Sequence, residues 1–200
     1  MKNKILLTVA AAAFLMGPLQ ETQAQAQQPK RAVIKVNPLS AFALTGSGFL
    51  EYAVTDNISA QLGAFTTGVS ISNVKFKGYG FTPEVRYYFS ENKVAPMGPY
   101  VAGYGRIQNF KLTVEKQDEE GNTREYSATY APIGAGVAIG NQWIFNSGFT
   151  LDAFLGAGYN GGNLKVNVGT EEDFDAGIIG DMILGGGFGL RPGITLGYNF

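Results

Sequence analysis

Seven charged residues occupy the polar face of alternating segments, and their side chains have the types with which this chain could do chemistry. They are Lys35, Glu51, Glu84, Arg86, Arg106, Asp152 and Arg191. Two of the three carboxylates could act as the acid and the base of a glycoside hydrolase. Four basic and three acidic groups nearly balance, however, and charges in a confined space persist when they are paired. We therefore predict that these residues form a structural network of ion pairs in a narrow interior space of the fold. The alternative is a gated ion path.

Two missing residue types exclude most catalytic chemistry. The chain has no histidine and no cysteine. Ser-His-acid hydrolysis and most zinc catalysis need an imidazole, and thiolate sites and disulfides need cysteine. The 15 basic residues are scattered among 16 acidic residues, whereas a nucleic-acid binder needs a clustered basic face. We predict that the chain is not an enzyme and has no cofactor, no metal site and no nucleic-acid partner.

Two further clusters carry weaker signals. The acids Glu171, Glu172, Asp173 and Asp175 offer oxygen ligands of the kind that Ca²⁺ and Mg²⁺ prefer, but their spacing fits no EF-hand. We interpret them as a solvated surface loop. The glycine-rich residues 185–189 lack the Lys-Ser/Thr and the following helix of a phosphate loop. We interpret these glycines as strand residues that face a crowded lumen.

Period-two alternation organises the chain around the charged residues. It is clearest over residues 80–89, where apolar side chains alternate with Thr82, Glu84 and Arg86. Such alternation is typical of a strand with one apolar face. The same pattern occurs at residues 50–55, 58–65, 132–139, 149–158 and 190–200, and less regularly at 33–42, which contains Pro38, and at 100–109. We predict eight antiparallel strands.

The connections between these segments alternate in length. Short turns are predicted at residues 56–57, 90–98 and 141–147, and longer polar loops at 67–77, 111–126 and 161–184. One outer connection, near residues 45–47, is tight. Short periplasmic turns and longer extracellular loops are typical of outer-membrane barrels. The pattern therefore places the long loops outside the cell and Phe200 on the periplasmic side.

The first residues form a predicted export signal. Lys2 and Lys4 precede an apolar run over residues 5–16 and then a polar stretch, which is the order of a secretory signal peptide. We predict a signal peptide over residues 1–26, cleaved after Ala24 or Ala26, with export through the Sec pathway. Residues 27–200 would form one barrel domain. No later segment reaches the roughly 18 apolar residues of a membrane helix, so a membrane protein of this sequence must be a closed barrel.

The composition of the strands favours a membrane barrel over a soluble one. Their polar face is mostly Gly, Ser, Thr and Gln, which suits a cramped lumen. Aromatic residues gather near the strand ends, as expected for the girdles at membrane interfaces. These residues are Tyr52, Tyr87, Phe89, Phe149 and Tyr198. We predict a closed antiparallel up-and-down transmembrane β-barrel in the outer membrane.

The last strand carries a family resemblance. Leu196, Tyr198 and Phe200 alternate up to the final residue, and in this the sequence resembles the small eight-stranded outer-membrane barrels of the OmpA and OmpX type. The segments 35–39, 51–52 and 191–198 also resemble an uncharacterised Gram-negative outer-membrane barrel family. The resemblance implies that Tyr198 and Phe200 act as an assembly signal for the barrel-assembly machinery. It also implies outer-membrane lipid and lipopolysaccharide as partners, and it implies no known chemistry.

The predicted function follows from this class of fold. We expect a non-enzymatic barrel with a structural, adhesion or recognition role through its extracellular loops, since loops on a rigid scaffold commonly carry function. One alternative is a small passive channel, although eight strands leave an interior only wide enough for side chains. A second alternative is a soluble periplasmic lipid-binding barrel. The sequence leaves the extracellular ligand open.

Overall fold

The computed structural model describes residues 30–71, 73–90, 92–117, 123–162, 164–168 and 187–200. The predicted signal peptide, residues 1–26, lies outside this part of the chain. The described residues form ten strands and one short 3₁₀ helix: β1 (Ala32–Val36), η1 (Pro38–Ala43), β2 (Thr45–Ala53), β3 (Ile58–Ile71), β4 (Val74–Tyr88), β5 (Gly98–Gln117), β6 (Thr123–Tyr130), β7 (Ile133–Ile144), β8 (Phe149–Gly161), β9 (Leu164–Val168) and β10 (Gly187–Asn199).

Eight of these strands close into a ring. Around the ring the order is β1, β2, β3, β4, β5, β7, β8 and β10, and every neighbouring pair is antiparallel. The ring closes where β10 pairs with β1, with Tyr198 opposite Ile34. The chain therefore forms the predicted closed antiparallel barrel, in which no strand of the ring has a free edge.

The barrel is apolar outside and polar inside. Along β4, Val85 is 58% exposed, whereas Glu84 and Arg86 on either side are 4% and 1% exposed. The outer face carries large apolar side chains all round the ring, including Ile34, Leu50, Leu62, Phe81, Val101, Val137, Leu155 and Leu190. An exposed apolar band of this extent is stable in lipid rather than in water. The structure thus confirms a transmembrane barrel.

The described residues contain no helix that is both long and apolar enough to span a membrane.

The first strand is shorter than predicted. It ends at Val36, and the interval 33–42 is completed by η1 rather than by more strand. Pro38 has no amide hydrogen to donate to a sheet, and the side chain of Asn37 accepts a hydrogen bond from the amide of Leu39 at 3.0 Å. These two residues start the helix. Residues 45–47, predicted as the outer connection, are therefore the first residues of β2.

Two predicted loops are in fact strands, and the third, 161–184, contains β9, while its residues 163 and 169–184 lie outside the described part of the chain. β3 and β4 pair through most of residues 67–77, up to Ile71 opposite Val74, and β5 and β6 pair through most of residues 111–126. We define the arms as residues 67–71 of β3, 74–77 of β4 and 111–117 of β5, together with β6 and β9. These residues extend beyond the apolar band. Leu112 and Ala128 are buried there against neighbouring apolar side chains. Charge suggested loops, but a strand that leaves the membrane can carry charged residues on its solvated faces.

The opposite end of the barrel is closed by a turn segment. We call it the turn end, and it contains the connections at residues 54–57, 89–97 and 145–148, with residue 91 not described. Ala95 is 4% exposed, and its amide donates to the carbonyl of Asp56 at 2.7 Å. β7 continues to Ile144, so Asn141 and Gln142 belong to a strand and not to the predicted turn at 141–147.

Candidate functional site: a luminal ion network above the turn end

Four strands bring the central charges together. β1, β2, β4 and β8 direct Lys35, Glu51, Arg86 and Asp152 into the lumen, where each is 1% exposed or less. The ammonium of Lys35 lies 2.6 Å from Glu51 Oε2 and 3.1 Å from Asp152 Oδ2. Arg86 Nη1 lies 3.3 Å and 2.9 Å from the same two oxygen atoms. Two cations thus alternate with two carboxylates in a compact square.

A second pair of charges extends the network toward the arms. Arg86 Nε donates to Glu84 Oε1 at 2.7 Å, and Arg191 Nη1 donates to Glu84 Oε2 at 2.7 Å. Glu84 and Arg86 share the inner face of β4 because residues two apart on a strand point the same way. Six of the seven predicted luminal charges therefore form one connected network, with three positive and three negative groups.

Neutral side chains complete the network. The hydroxyls of Ser59 and Tyr88 donate to Glu51 Oε1 at 2.5 and 2.7 Å, and the Tyr100 hydroxyl donates to Asp152 Oδ1 at 2.8 Å. Gln142 Oε1 accepts from Lys35 Nζ at 2.6 Å. The sequence prediction missed these groups because it selected formal charges. The alternation already placed Tyr88 on the polar face of its strand, and that signal could have identified it.

An aromatic contact and a backbone contact hold the part of the network that is nearest to the turn end. The guanidinium carbon of Arg86 lies 4.2 Å from the centroid of the Tyr100 ring, within the range of a cation–π interaction. Gln142 Nε2 donates to the carbonyl of Pro96 at 2.6 Å, so the turn end is bonded to the network. Lumen and closing segment therefore form one hydrogen-bonded unit.

Strand glycines make room for the inward tyrosines. A Cβ atom on Gly140 would lie 2.6 Å from the hydroxyl oxygen of Tyr100, and one on Gly136 would lie 2.5 Å from that of Tyr104. Both distances are too short for ordinary van der Waals contact. β7 must therefore present glycine where the tyrosines of β5 cross the lumen.

Arg106 is the predicted charge that the network leaves out. Its guanidinium lies 6.0 Å from the centroid of the Phe65 ring, and its Nε atom is buried without a hydrogen-bond partner. Within the described part of the chain it makes no salt bridge. The predicted set has four basic and three acidic residues, and Arg106 is the basic residue that has no acidic partner among the described residues.

The geometry of the network offers little for catalysis. Each of its three carboxylates is in contact with at least one cation at 3.3 Å or less. A general base needs a substrate proton within its reach. The three carboxylates instead face the cations of the network and are buried. No group of potential metal ligands occurs among the residues that the structure describes.

The two residues of the predicted assembly signal lie at the ring closure. Tyr198 and Phe200 are each 51% exposed. The amide of Phe200 donates to the carbonyl of Ala32 at 2.9 Å, so the last residue continues the pairing of β10 with β1. Both aromatic side chains lie at the turn end of the barrel.

Two weaker sequence signals have separate outcomes. The acids 171–175 lie outside the described residues. Gly187 and Gly189 belong to β10, as predicted for strand glycines, but a Cβ atom on either would have no neighbour within 4 Å. Crowding by the described residues therefore does not explain these two glycines, and residues 185 and 186 lie outside the described part of the chain.

Comparison with known proteins identifies a family. The family described as "Protein of unknown function (DUF3575)" matches residues 10–171. The chain belongs to this family. No curated protein matches it. The predicted membership of the OmpA and OmpX type is not confirmed by this match.

Several solved outer-membrane barrels are similar to this DUF3575 chain. The N-terminal β-barrel domain of Pseudomonas aeruginosa OprF shares 18% identity, with 86% of this chain and 100% of that chain covered and a TM-score of 0.37. Acinetobacter baumannii CarO2 shares 17% identity, with 88% and 99% covered and a TM-score of 0.42. A major outer membrane protein from Thermus thermophilus shares 14% identity, with 84% and 99% covered and a TM-score of 0.44. The assignment as an outer-membrane type of barrel rests on the closed ladder and apolar exterior of the chain itself.

Proposed function

We propose that the chain is a non-enzymatic scaffold of the outer membrane, of the OmpA-like kind, that displays its arms outside the cell. The observation that carries this proposal is the closed luminal network, in which Lys35, Glu51, Arg86 and Asp152 are almost fully buried. A barrel that is filled at its centre serves as an anchor rather than as a path for solutes. The apolar exterior argues against a soluble periplasmic lipid-binding barrel.

The proposed route to the membrane uses the ends of the chain. Residues 1–26 would direct export through the Sec pathway, and residues 27–200 would then fold as the barrel. Tyr198 and Phe200 would be recognised by the barrel-assembly machinery. Their position at the seam where β10 closes the ring against β1 supports this role, because an assembly factor would act there before closure. Outer-membrane lipid and lipopolysaccharide would surround the inserted barrel.

The arms are the part of the molecule best suited to adhesion or recognition. β5 has 20 residues and β4 has 15, whereas about 9–11 residues are enough for a strand to cross the membrane. The extra length is held rigid by pairing with β6 and by the side chains around Leu112. On the solvated surface, Lys75 Nζ lies 2.6 Å from Glu115 Oε1. A stiff polar projection of this kind can present a contact surface without an ordering cost on binding.

Removal of the part of the arms that β5 and β6 form tests the proposed role. Lys111 and Thr129 are paired residues of β5 and β6, so deletion of residues 112–128 and joining through Asn-Gly should give a short hairpin in the same register. We expect cells that carry this variant to lose adhesion to coated surfaces while the barrel still shows heat-dependent gel mobility. An epitope inserted at residues 92–93, at the turn end, controls for general disturbance. Adhesion that survives this deletion would contradict the proposal.

A further inference from the structure

A cavity occupies the lumen on the side of the network that faces the arms. Its volume is about 730 Å³, which lies within the range of sites that bind small molecules. Thr82 and Phe154 lie on its wall, together with residues of η1 and of the arms. Arg191 also lines it, so the cavity directly adjoins the luminal network. A Cβ atom on Gly189 would have no described neighbour within 4 Å, which is consistent with this cavity.

The polar chemistry of the cavity is one-sided. Arg106 and Arg191 line it, and no acidic side chain does so among the described residues. Arg191 is already bonded to Glu84, whereas Arg106 Nε has no partner. A guanidinium cannot lose its proton in a protein and is costly to hold in a confined site without an anion. Since the other six charges balance, Arg106 is left as one uncompensated positive charge among the residues that the structure describes.

Apart from the two arginines, the wall combines apolar residues with eight uncharged polar ones, namely Asn37, Ser40, Thr45, Ser47, Thr67, Thr82, Gln108 and Asn160. Five phenylalanines line the cavity, namely Phe49, Phe65, Phe76, Phe110 and Phe154. The rings of Phe76 and Phe110 stack with their centroids 5.4 Å apart. The guanidinium of Arg106 lies beside one of these rings, that of Phe65. A ligand that carries a negative charge next to an apolar body would match Arg106 and the phenylalanines.

We propose that the cavity is a binding site for organic carboxylates with an aryl or alkyl body, in which Arg106 binds the carboxylate. A guanidinium can bind a carboxylate through two parallel hydrogen bonds, which gives both charge and geometry. The phenylalanines would pack around the apolar body, and Arg191 would add positive potential while it remains bonded to Glu84. Residues of the arms line part of the site, but binding there does not require that the arms act in adhesion.

Binding is best measured on the purified barrel in detergent with a fluorine-labelled probe. We would titrate 4-(4-fluorophenyl)butyrate and its neutral amide and follow the fluorine NMR signal, with empty micelles to correct for partition. We expect the carboxylate to bind at least tenfold more tightly than the amide. Arg106→Gln should reduce carboxylate binding about tenfold or more, since a charge-assisted hydrogen bond contributes about 1.5–3 kcal/mol. Arg106→Lys should retain part of the affinity.

The matched control is Arg31→Gln, which removes the same charge from the turn end, where the Arg31 side chain is 58% exposed. It should leave binding unchanged. Heat-dependent gel mobility should show that Arg106→Gln folds and unfolds at no lower a temperature than the unmutated protein, because Arg106 makes no salt bridge to the residues that the structure describes. Inorganic phosphate should compete weakly, since it has no apolar body. Equal binding of carboxylate and amide, undiminished binding by Arg106→Gln, or no binding of the carboxylate would each overturn the proposal.

Discussion

Removal of Arg86 should destabilise the barrel through the charges that it leaves behind. Arg86 lies 2.7 Å from Glu84 Oε1, 2.9 Å from Asp152 Oδ2 and 3.3 Å from Glu51 Oε2. In Arg86→Ala, three carboxylates would face only two cations. Removing one partner of a buried ion pair typically costs about 3–5 kcal/mol, and we expect a loss in the free energy of unfolding in that range.

A second substitution should recover part of this loss. In the combined variant Arg86→Ala with Asp152→Ala, Lys35 keeps Glu51 at 2.6 Å and Arg191 keeps Glu84 at 2.7 Å. Two positive and two negative groups then remain paired. Combination of Arg86→Ala with Glu84→Ala would restore the same balance of charge, but it would leave Arg191 without its partner. We therefore expect the Asp152 combination to recover more stability than the Glu84 combination.

Reversible urea unfolding in lipid vesicles provides the assay. The chain has one tryptophan, Trp143, which lies next to Gln142 in β7 and reports unfolding by its fluorescence. The coupling energy between Arg86 and Asp152 should fall within the roughly 0.5–3 kcal/mol seen for residues in one network. Arg31→Ala, at an exposed pair 4.0 Å from Asp56, should change stability by less than about 1 kcal/mol. Strictly additive losses for Arg86→Ala and Asp152→Ala would refute the network.

Three further predictions concern assembly, orientation and packing. Deletion of Phe200 should slow assembly and leave periplasmic aggregates, measured by the heat-mobile fraction after induction; normal assembly would argue against its role as a signal. An epitope at residues 121–122 should bind antibody on intact cells and one at 92–93 should not, and the reverse pattern would invert the proposed orientation. Gly140→Ala should cost about 1–3 kcal/mol, because the added Cβ would lie 2.6 Å from the Tyr100 hydroxyl, and an unchanged urea midpoint would show that the ring can move freely.

The repeating pattern of the strands could be predicted because it is local. Alternation along residues 80–89 assigns Glu84 and Arg86 to one face and Val85 to the other, and β4 shows this arrangement. Closure of the ring follows from the absence of any other way to satisfy the backbone in lipid. The fold class could therefore be inferred from spacing and composition alone.

The ends of the strands could not be predicted because charge was interpreted as a sign of loops. Lys75 and Glu115 lie in paired strands, where they face water above the apolar band. A strand that crosses from lipid to solvent changes its composition without changing its conformation. The error at Pro38 was in the other direction, because a strand was predicted where there is none. β1 ends before Pro38 although the apolar pattern continues beyond it.

The partners within the lumen depend on register, which the sequence does not encode locally. Lys35 and Asp152 are 117 residues apart in sequence and meet because β1, β10 and β8 are neighbours in the ring. The sequence could supply a set of inward charges, but not the fact that Arg106 lies outside their network. That difference arises from the level of each residue along the barrel axis.

Conductance of the purified barrel in planar lipid bilayers tests the central claim most directly, namely that the luminal network closes the barrel. Inserted protein should give no unitary current above the leak of the membrane over the range of voltages at which a general porin in the same bilayer conducts. We expect no continuous wet path through the lumen. The network of Lys35, Glu51, Arg86 and Asp152 fills its centre and is bonded through Gln142 to the turn end. Steady ohmic current steps from the unmutated barrel would contradict it.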